Sequence, residues 1–252
     1  TITPELDYMR VGSELTCDAR FREHLLENAL AACRNRKDVL RRMDACRIYV
    51  GTVASIASKT ELFKLKRFDV AIIDEATQIL EPQLLGILCG KTPDGQDAVG
   101  KFILIGDHKQ LPAIVLQDKV HSEVRPEGLR AVGMQNRKDS LFERRYRYHL
   151  STGDGRAVDM LDKQGRMHPD VAKFANEAFY DGKLKMVGLP HQLEVLEAPV
   201  VFIPSEVDKE SPTGKSNRDE ARIVADCAVS VWRELQESFD ADSTLGIITP
   251  YR

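Results

Sequence analysis

Apolar positions follow two rhythms along this chain. From about residue 18 to residue 45 they recur at steps of three and four (Leu25, Leu26, Ala29, Leu30, Cys33) within charged, helix-favouring text, which predicts helix. Three short runs then break the rhythm. Residues 47–53 are rich in β-formers and stop at Gly51-Thr52, and residues 68–74 and 101–107 are buried-strand runs. The stretch 68–74 is nearly apolar on both faces, as parallel strands covered by helices are. Between the last two runs, Glu81-Pro82 marks a helix start and Thr92-Pro-Asp-Gly95 a turn.

After Val120 the text is polar and irregular until a helix that Asp139 or Ser140 would cap. Ser151-Thr-Gly-Asp-Gly155 is the best linker candidate, and beyond it the cycle restarts. A strand is expected near 158–161, a helix from His168-Pro169 to about Tyr180, and a strand over 198–204. A long helix over about 216–239 and a last strand over 244–250 complete the pattern. Strands alternating with helices on both sides of a linker predict two α/β domains with parallel sheets flanked by helices. Their expected bounds are 1–150 and 156–252, joined by 151–155.

Composition changes this picture little. The chain has 252 residues, 42% of them hydrophobic and 30% charged, with a formal net charge of −3. Such a balance gives no global pull toward nucleic acid or anionic lipid, so any nucleic-acid binding has to come from local patches. The five cysteines lie far apart with no Cys-x-x-Cys pair, as reduced thiols of an intracellular protein, cytoplasmic or nuclear, would. No apolar run reaches the roughly 20 residues of a membrane helix, and no signal peptide is visible. The chain opens on Thr1 rather than methionine, and the expectation is a piece of something longer.

Candidate chemistry lies at the strand ends. The run DVAIIDEATQ (69–78) drives four apolar residues into Asp74 and Glu75, and charge at the end of a buried strand is costly unless a positive group waits there. In parallel α/β sheets, ligands bind at the carboxyl ends of the strands. Two carboxylates there can divide the labour: one holds Mg²⁺ and the other polarises an attacking water, the logic of phosphoryl transfer from ATP. An isolated Asp-Glu more often just ends a strand. Here, however, the next strand also exits on a carboxylate, Asp107, with Gln110 three residues on. Arg166, across the linker, stands where an arginine could reach a transferring phosphate.

DEATQ (74–78), GDHKQLP (106–112), SLFER (140–144), QGRMHP (164–169) with FANEAFYDGKL, and the terminal GIITPYR together resemble superfamily 1 helicases. The similarity is to the 5′→3′ branch that includes the nonsense-mediated-decay and Okazaki-fragment-processing helicases, and it runs from about residue 10 to the end. The resemblance implies two RecA-like domains that hydrolyse ATP with Mg²⁺ to move on single-stranded DNA or RNA. By position, Asp74 resembles the metal-coordinating aspartate and Glu75 the catalytic base. Gln78 is similar to the residue linking this motif to nucleotide and nucleic acid, and Asp107 and Gln110 to those coupling the γ-phosphate to movement. Gln164 resembles a nucleotide contact and Arg166 the arginine finger. Thr52, and Thr249-Pro250-Tyr251 in the second domain, sit where the family contacts the nucleic-acid backbone.

Two departures stand out. Gly165 occupies the place of an aromatic expected to stack on the base, and Ala113 that of a second proline. A third feature concerns the phosphates. No Gly-x-x-x-x-Gly-Lys-Ser/Thr loop occurs: PTGKS (212–216) has Lys209 where the first glycine should be, and it reads as a solvated loop in which Ser216 caps the next helix. The expectation is therefore two incomplete RecA-like domains, the core of an ATP-driven helicase that is inactive as this fragment alone. The rival expectation is a catalytically inactive module that grips nucleic acid or protein. The basic run FERRYRYH (142–149) is read as the solvated face of a connecting helix.

Overall fold

The computed structural model of the chain describes residues 6–188, 199–211 and 214–249. It divides into two compact units, Thr1–Leu161 and Asp162–Arg252. In the first, β1 (Tyr8–Val11) pairs in parallel with β2 (Ile48–Gly51), with Tyr8 opposite Ile48 and Val11 opposite Gly51. Likewise β3 (Phe68–Ile73) pairs in parallel with β4 (Val99–Leu104). A parallel pair needs a crossover. For β1 and β2 it is a 3₁₀ turn (Ala19–His24), α1 (Leu26–Leu30) and α2 (Arg36–Ala45). The expected helix over 18–45 is thus broken into three pieces, the last of which starts afresh where Asn35 accepts from the Lys37 and Asp38 amides.

Helices α3 (Val53–Ala57), α4 (Glu61–Leu65) and α5 (Glu81–Leu88) pack on one side of β3 and β4. Pro82 sits in the first turn of α5, and the Gln83 side chain accepts from the Leu80 amide at 2.8 Å, so the helix starts where its sequence signals. Gly86 on α5 lies so close to Ala57 on α3 that an added Cβ would meet the Ala57 Cβ at 3.1 Å. Phe63, Ile87, Ala98 and Val99 form one core cluster, and Ile73, Ala76, Leu84 and Leu141 another. Leu141 opens α8 (Leu141–Thr152), after two short helices, α6 (Lys119–Ser122) and α7 (Glu127–Ala131). Ser140 caps α8 by accepting from the Glu143 amide, and Gly153, at φ +71°, ends it.

The opposite face of the same strands departs from expectation. Val70, Ile72, Ile103 and Ile105 are exposed, Ile72 by 65%, so among the described residues β3 and β4 are covered on one face instead of two.

Gly51 is required by close approach. A Cβ there would stand 2.7 Å from the Val11 carbonyl oxygen across the β1–β2 ladder. Gly51→Ala should therefore push β2 off β1 and cost about 1–3 kcal/mol, read as a lower urea midpoint.

Asp7 and Arg42 form a bidentate pair, both bonds 2.9 Å, tying the entry to β1 to α2. The guanidinium holds the Asp7 carboxyl below its ordinary value of 3.8. A depressed folded pKa stabilises above the unfolded value and fades as pH falls through the folded one. The stability difference between wild type and Asp7→Asn should thus be constant above about pH 5 and shrink progressively below it in urea titrations.

In the second unit, β5 (Lys163–Gln164) pairs in parallel with β6 (Lys185–Met186); α9 (Pro169–Phe179) connects the two strands and α10 (Arg218–Leu235) follows them in the chain. Here three expected strands are corrected. Residues 158–161, 199–204 and 244–249 are not strands, although Phe202 and Ile248 keep the apolar pattern and stand 88% and 96% exposed. Their backbone groups find no ladder partner among the described residues, and without one an apolar run is not a strand. Asn217, accepting from the Asp219 and Glu220 amides, caps α10 in place of Ser216, whose hydroxyl pairs with that of Ser211 at 2.9 Å. The expected loop PTGKS lies partly outside the described residues. Among those described, no helix is long and apolar enough to cross a membrane.

Candidate nucleotide and nucleic-acid site

The exits of β3 and β4 are tied together. The Ile105 amide donates to the Ile73 carbonyl and the Ala76 amide to the Ile105 carbonyl, each at 2.8 Å, so the ladder continues past both strands into the turns that carry the carboxylates. Gly106 makes this possible. A Cβ on it would lie 3.0 Å from Thr77 Cγ2 and 3.1 Å from the Thr77 amide nitrogen. Buried Ala76 and Thr77 anchor the first turn from beneath.

Asp74, Glu75 and Gln78 share that first turn and are exposed. Asp74 Oδ1 accepts from the Glu75 amide at 3.0 Å, and the Gln78 side-chain amide donates to Glu75 Oε2 at 3.3 Å. Glu75 itself has φ +50°, a left-handed backbone that L residues adopt at a cost. Strand-exit geometry alone would not ask for it. It turns the chain so that neighbouring carboxylates, which would leave a straight strand on opposite faces, emerge from the same edge.

Asp107 and Gln110 share the second turn. Asp107 Oδ1 accepts from the Lys109 amide and Oδ2 from the Gln110 side chain, each at 2.9 Å. The His108 ring lies against Tyr146 of α8, with centroids 4.5 Å apart, and Tyr146 stacks on Phe142 at 6.3 Å. So FERRYRYH is only partly a solvated face: Arg147 and Tyr148 are exposed, but Phe142 and Tyr146 turn inward. Their i, i+4 spacing was the signal available for that inward stripe.

Arg144 and Glu81 form the other feature that motif reading missed. Arg144 Nη2 and Nε donate to the two Glu81 oxygens at 2.6 and 2.8 Å, and Nη1 donates to the Val132 carbonyl at 2.8 Å. The side chains are only 11% and 15% exposed, and the pair locks α8 to the first turn of α5.

Thr52 stands at the exit of β2, where its hydroxyl accepts from the Ser55 amide and donates to Ser55 Oγ at 2.9 Å. In the second unit the Gln164 side chain is engaged locally. Its oxygen accepts from the Arg166 and Met167 amides at 3.0 and 2.9 Å, and its nitrogen donates to the Met167 carbonyl and contacts Met186 Sδ. That shapes an exposed turn carrying Arg166. Gly165 is not forced by sterics, since a Cβ there would meet nothing closer than 3.8 Å. Thr249 is exposed, and Pro250 and Tyr251 lie outside the described residues.

Among the described residues no three His, Cys, Asp or Glu side chains cluster as a complete metal cage. Mg²⁺ needs no such cage. It binds through one or two carboxylates together with waters and substrate phosphates, and an exposed aspartate at a strand exit fits that donor set.

Comparison with known proteins adds the family. One family model described as an AAA domain matches residues 20–118 and a second, also an AAA domain, matches residues 137–252. Over 224 residues the chain is 30% identical to the DNA replication ATP-dependent helicase/nuclease DNA2 of Xenopus laevis, covering 76% of this chain and 18% of that protein. It is 30% identical over 198 residues to helicase SEN1 of Saccharomyces cerevisiae, covering 74% and 8%. It is 38% identical over 136 residues to the 3'-5' exoribonuclease HELZ2 of Mus musculus, covering 53% and 4%. The chain thus spans less than a fifth of the length of these relatives.

Proposed function

This chain belongs to the superfamily 1 helicases of the 5′→3′ type, and from that membership we propose that it is part of an ATP-dependent motor on single-stranded nucleic acid. The observation that carries the proposal is the joined pair of strand exits, which places Asp74-Glu75 and Asp107-Gln110 on one edge through the Ala76–Ile105 hydrogen bond. ATP and Mg²⁺ are the implied nucleotide and metal. When bound, the metal would neutralise phosphate charge and orient the nucleotide.

The chain's own residues then take these roles. Asp74 supplies the carboxylate ligand for the metal. Glu75 accepts a proton from the attacking water, and Gln78 restrains its carboxylate. Gln110, already bonded to Asp107, can trade that partner for a phosphate oxygen. Arg166 offers the guanidinium that stabilises charge on the transferring group. Gln164 shapes the turn that presents Arg166. Thr52, Thr249, Pro250 and Tyr251 contact the nucleic-acid backbone, which carries no sequence information. The two domains are proposed as 1–150 and 156–252, and the protein is proposed to work inside the cell, without a membrane partner.

The test is Mg²⁺-ATP hydrolysis with and without single-stranded DNA and RNA, by this chain and by the chain joined to a phosphate-binding loop segment. Stimulated turnover in the joined protein alone is the expected result. Turnover by the chain alone would overturn its proposed inactivity. Absence of turnover in both would favour the non-catalytic binding module.

A further inference from the structure

A cavity of about 470 Å³ opens where β1 and β2 end, at the sheet edge where parallel strands present ligands. Ser13, Asn28, Ser55, Ser58 and Lys59 line it, with the Asn28 side-chain nitrogen donating to the Arg22 carbonyl and the Ser58 hydroxyl to the Ser55 carbonyl. Ser55 is the residue that hydrogen-bonds Thr52, so the cavity adjoins the proposed backbone contact. The fit to an anion is nonetheless incomplete as the chain stands. Glu14 and Glu27 also line the space, Lys59 Nζ is bound to Glu27 Oε1 at 2.9 Å, and Glu14 lies 3.4 Å from Arg22.

The pair is asymmetric. Lys59 is half sequestered, with 35% of its side chain exposed, whereas Glu27 is 80% exposed. Exposed ion pairs are weak and screened, so a second anion entering the cavity can displace the Glu27 carboxylate from Lys59. The lysine keeps its place and only changes partner. Resting on the reading of Thr52 above, we propose that this cavity takes a backbone phosphate of single-stranded nucleic acid, with Lys59 as its cation, and that Glu27 is a charge gate that occupies Lys59 until the strand arrives. The gate explains why a binding surface should place carboxylates beside its own lysine: an unliganded groove with its positive charge already matched exerts little pull on stray anions.

A staple joining α1 to the chain after α3 would use the same pair, and the two roles part on mutation. We would measure anisotropy of a labelled single-stranded oligonucleotide against the chain over a series of KCl concentrations. Loss of a staple destabilises alike from either side. Loss of a gate moves affinity in opposite directions. Lys59→Met should weaken binding on the order of 10-fold and lower the salt slope by about 0.7. Glu27→Gln should strengthen binding several-fold. Equal affinity in both variants, or a parallel loss, overturns the gate. Thr52→Val, run alongside, separates the layers: loss at Thr52 with no change at Lys59 or Glu27 leaves the reading of Thr52 intact and removes the gate alone. Inorganic phosphate at matched ionic strength should not compete with the oligonucleotide. If it displaces the strand in wild type and not in Lys59→Met, the cavity serves free phosphate and the nucleic-acid assignment falls.

Discussion

Glu75→Gln should lower nucleic-acid-stimulated ATP turnover by about 10²–10⁴-fold in a protein that joins this chain to a phosphate loop, while nucleotide binding stays within a few-fold. Glutamine matches glutamate in shape and keeps a partner for the Gln78 amide, yet it cannot take a proton from water. The left-handed backbone makes the choice of substitution matter. Because residue 75 sits at φ +50°, alanine there would alter both the turn's local hydrogen bonding and the chemistry, and its effect could not be assigned to the base. Single-turnover kinetics separate the outcomes. A fall in the chemical step with unchanged nucleotide Kd supports the role of base. A fall in affinity with an unchanged step would assign Glu75 to binding instead.

The second large effect is on stability. Arg144→Ala should cost about 3–5 kcal/mol, because it strands the Glu81 carboxylate in a site with 15% of its side chain exposed and leaves the Val132 carbonyl without its guanidinium donor. Glu81 lies in the first turn of α5, where helix amides offer partial compensation. Lysine should not rescue, since a point ammonium cannot make the bidentate pair. The double change Arg144→Met with Glu81→Met should recover most of the loss, because buried pairs often yield to apolar replacements of similar volume. Urea midpoints for the three variants check this. A double variant as unstable as Arg144→Ala would show that the lost stability belongs to packing around the pair rather than to a stranded charge.

The two findings differ in how far the sequence announces them. Strand exits and helix starts are local: Phe68 to Asp74, Glu81-Pro82 and the Ser140 cap are each written within a few residues, and the structure places elements there. Motif spacing also told that Asp74, Glu75, Asp107 and Gln110 belong to strand ends. What no local pattern carries is the identity of a partner. Arg144 and Glu81 are 63 positions apart, and neither the salt bridge nor the contact of Gly106 with Thr77 leaves a periodic trace. The same gap explains the failed strands. Val200-Val-Phe-Ile203 has strand composition, but composition supplies propensity and a strand needs a neighbour's backbone. The break at Asn35 was legible in principle as a cap, yet the apolar rhythm on either side outweighed it.

The bare face of β3 and β4 bears on how the chain behaves in solution rather than on what it does. Val70, Ile72, Ile103 and Ile105 form an apolar patch across two paired strands, on the face opposite the helices. An exposed apolar patch of this kind favours association, and in concentrated solution its easiest cover is another molecule like itself. These four side chains therefore form one surface through which copies of the purified chain can associate, on the side of the sheet that faces away from the core.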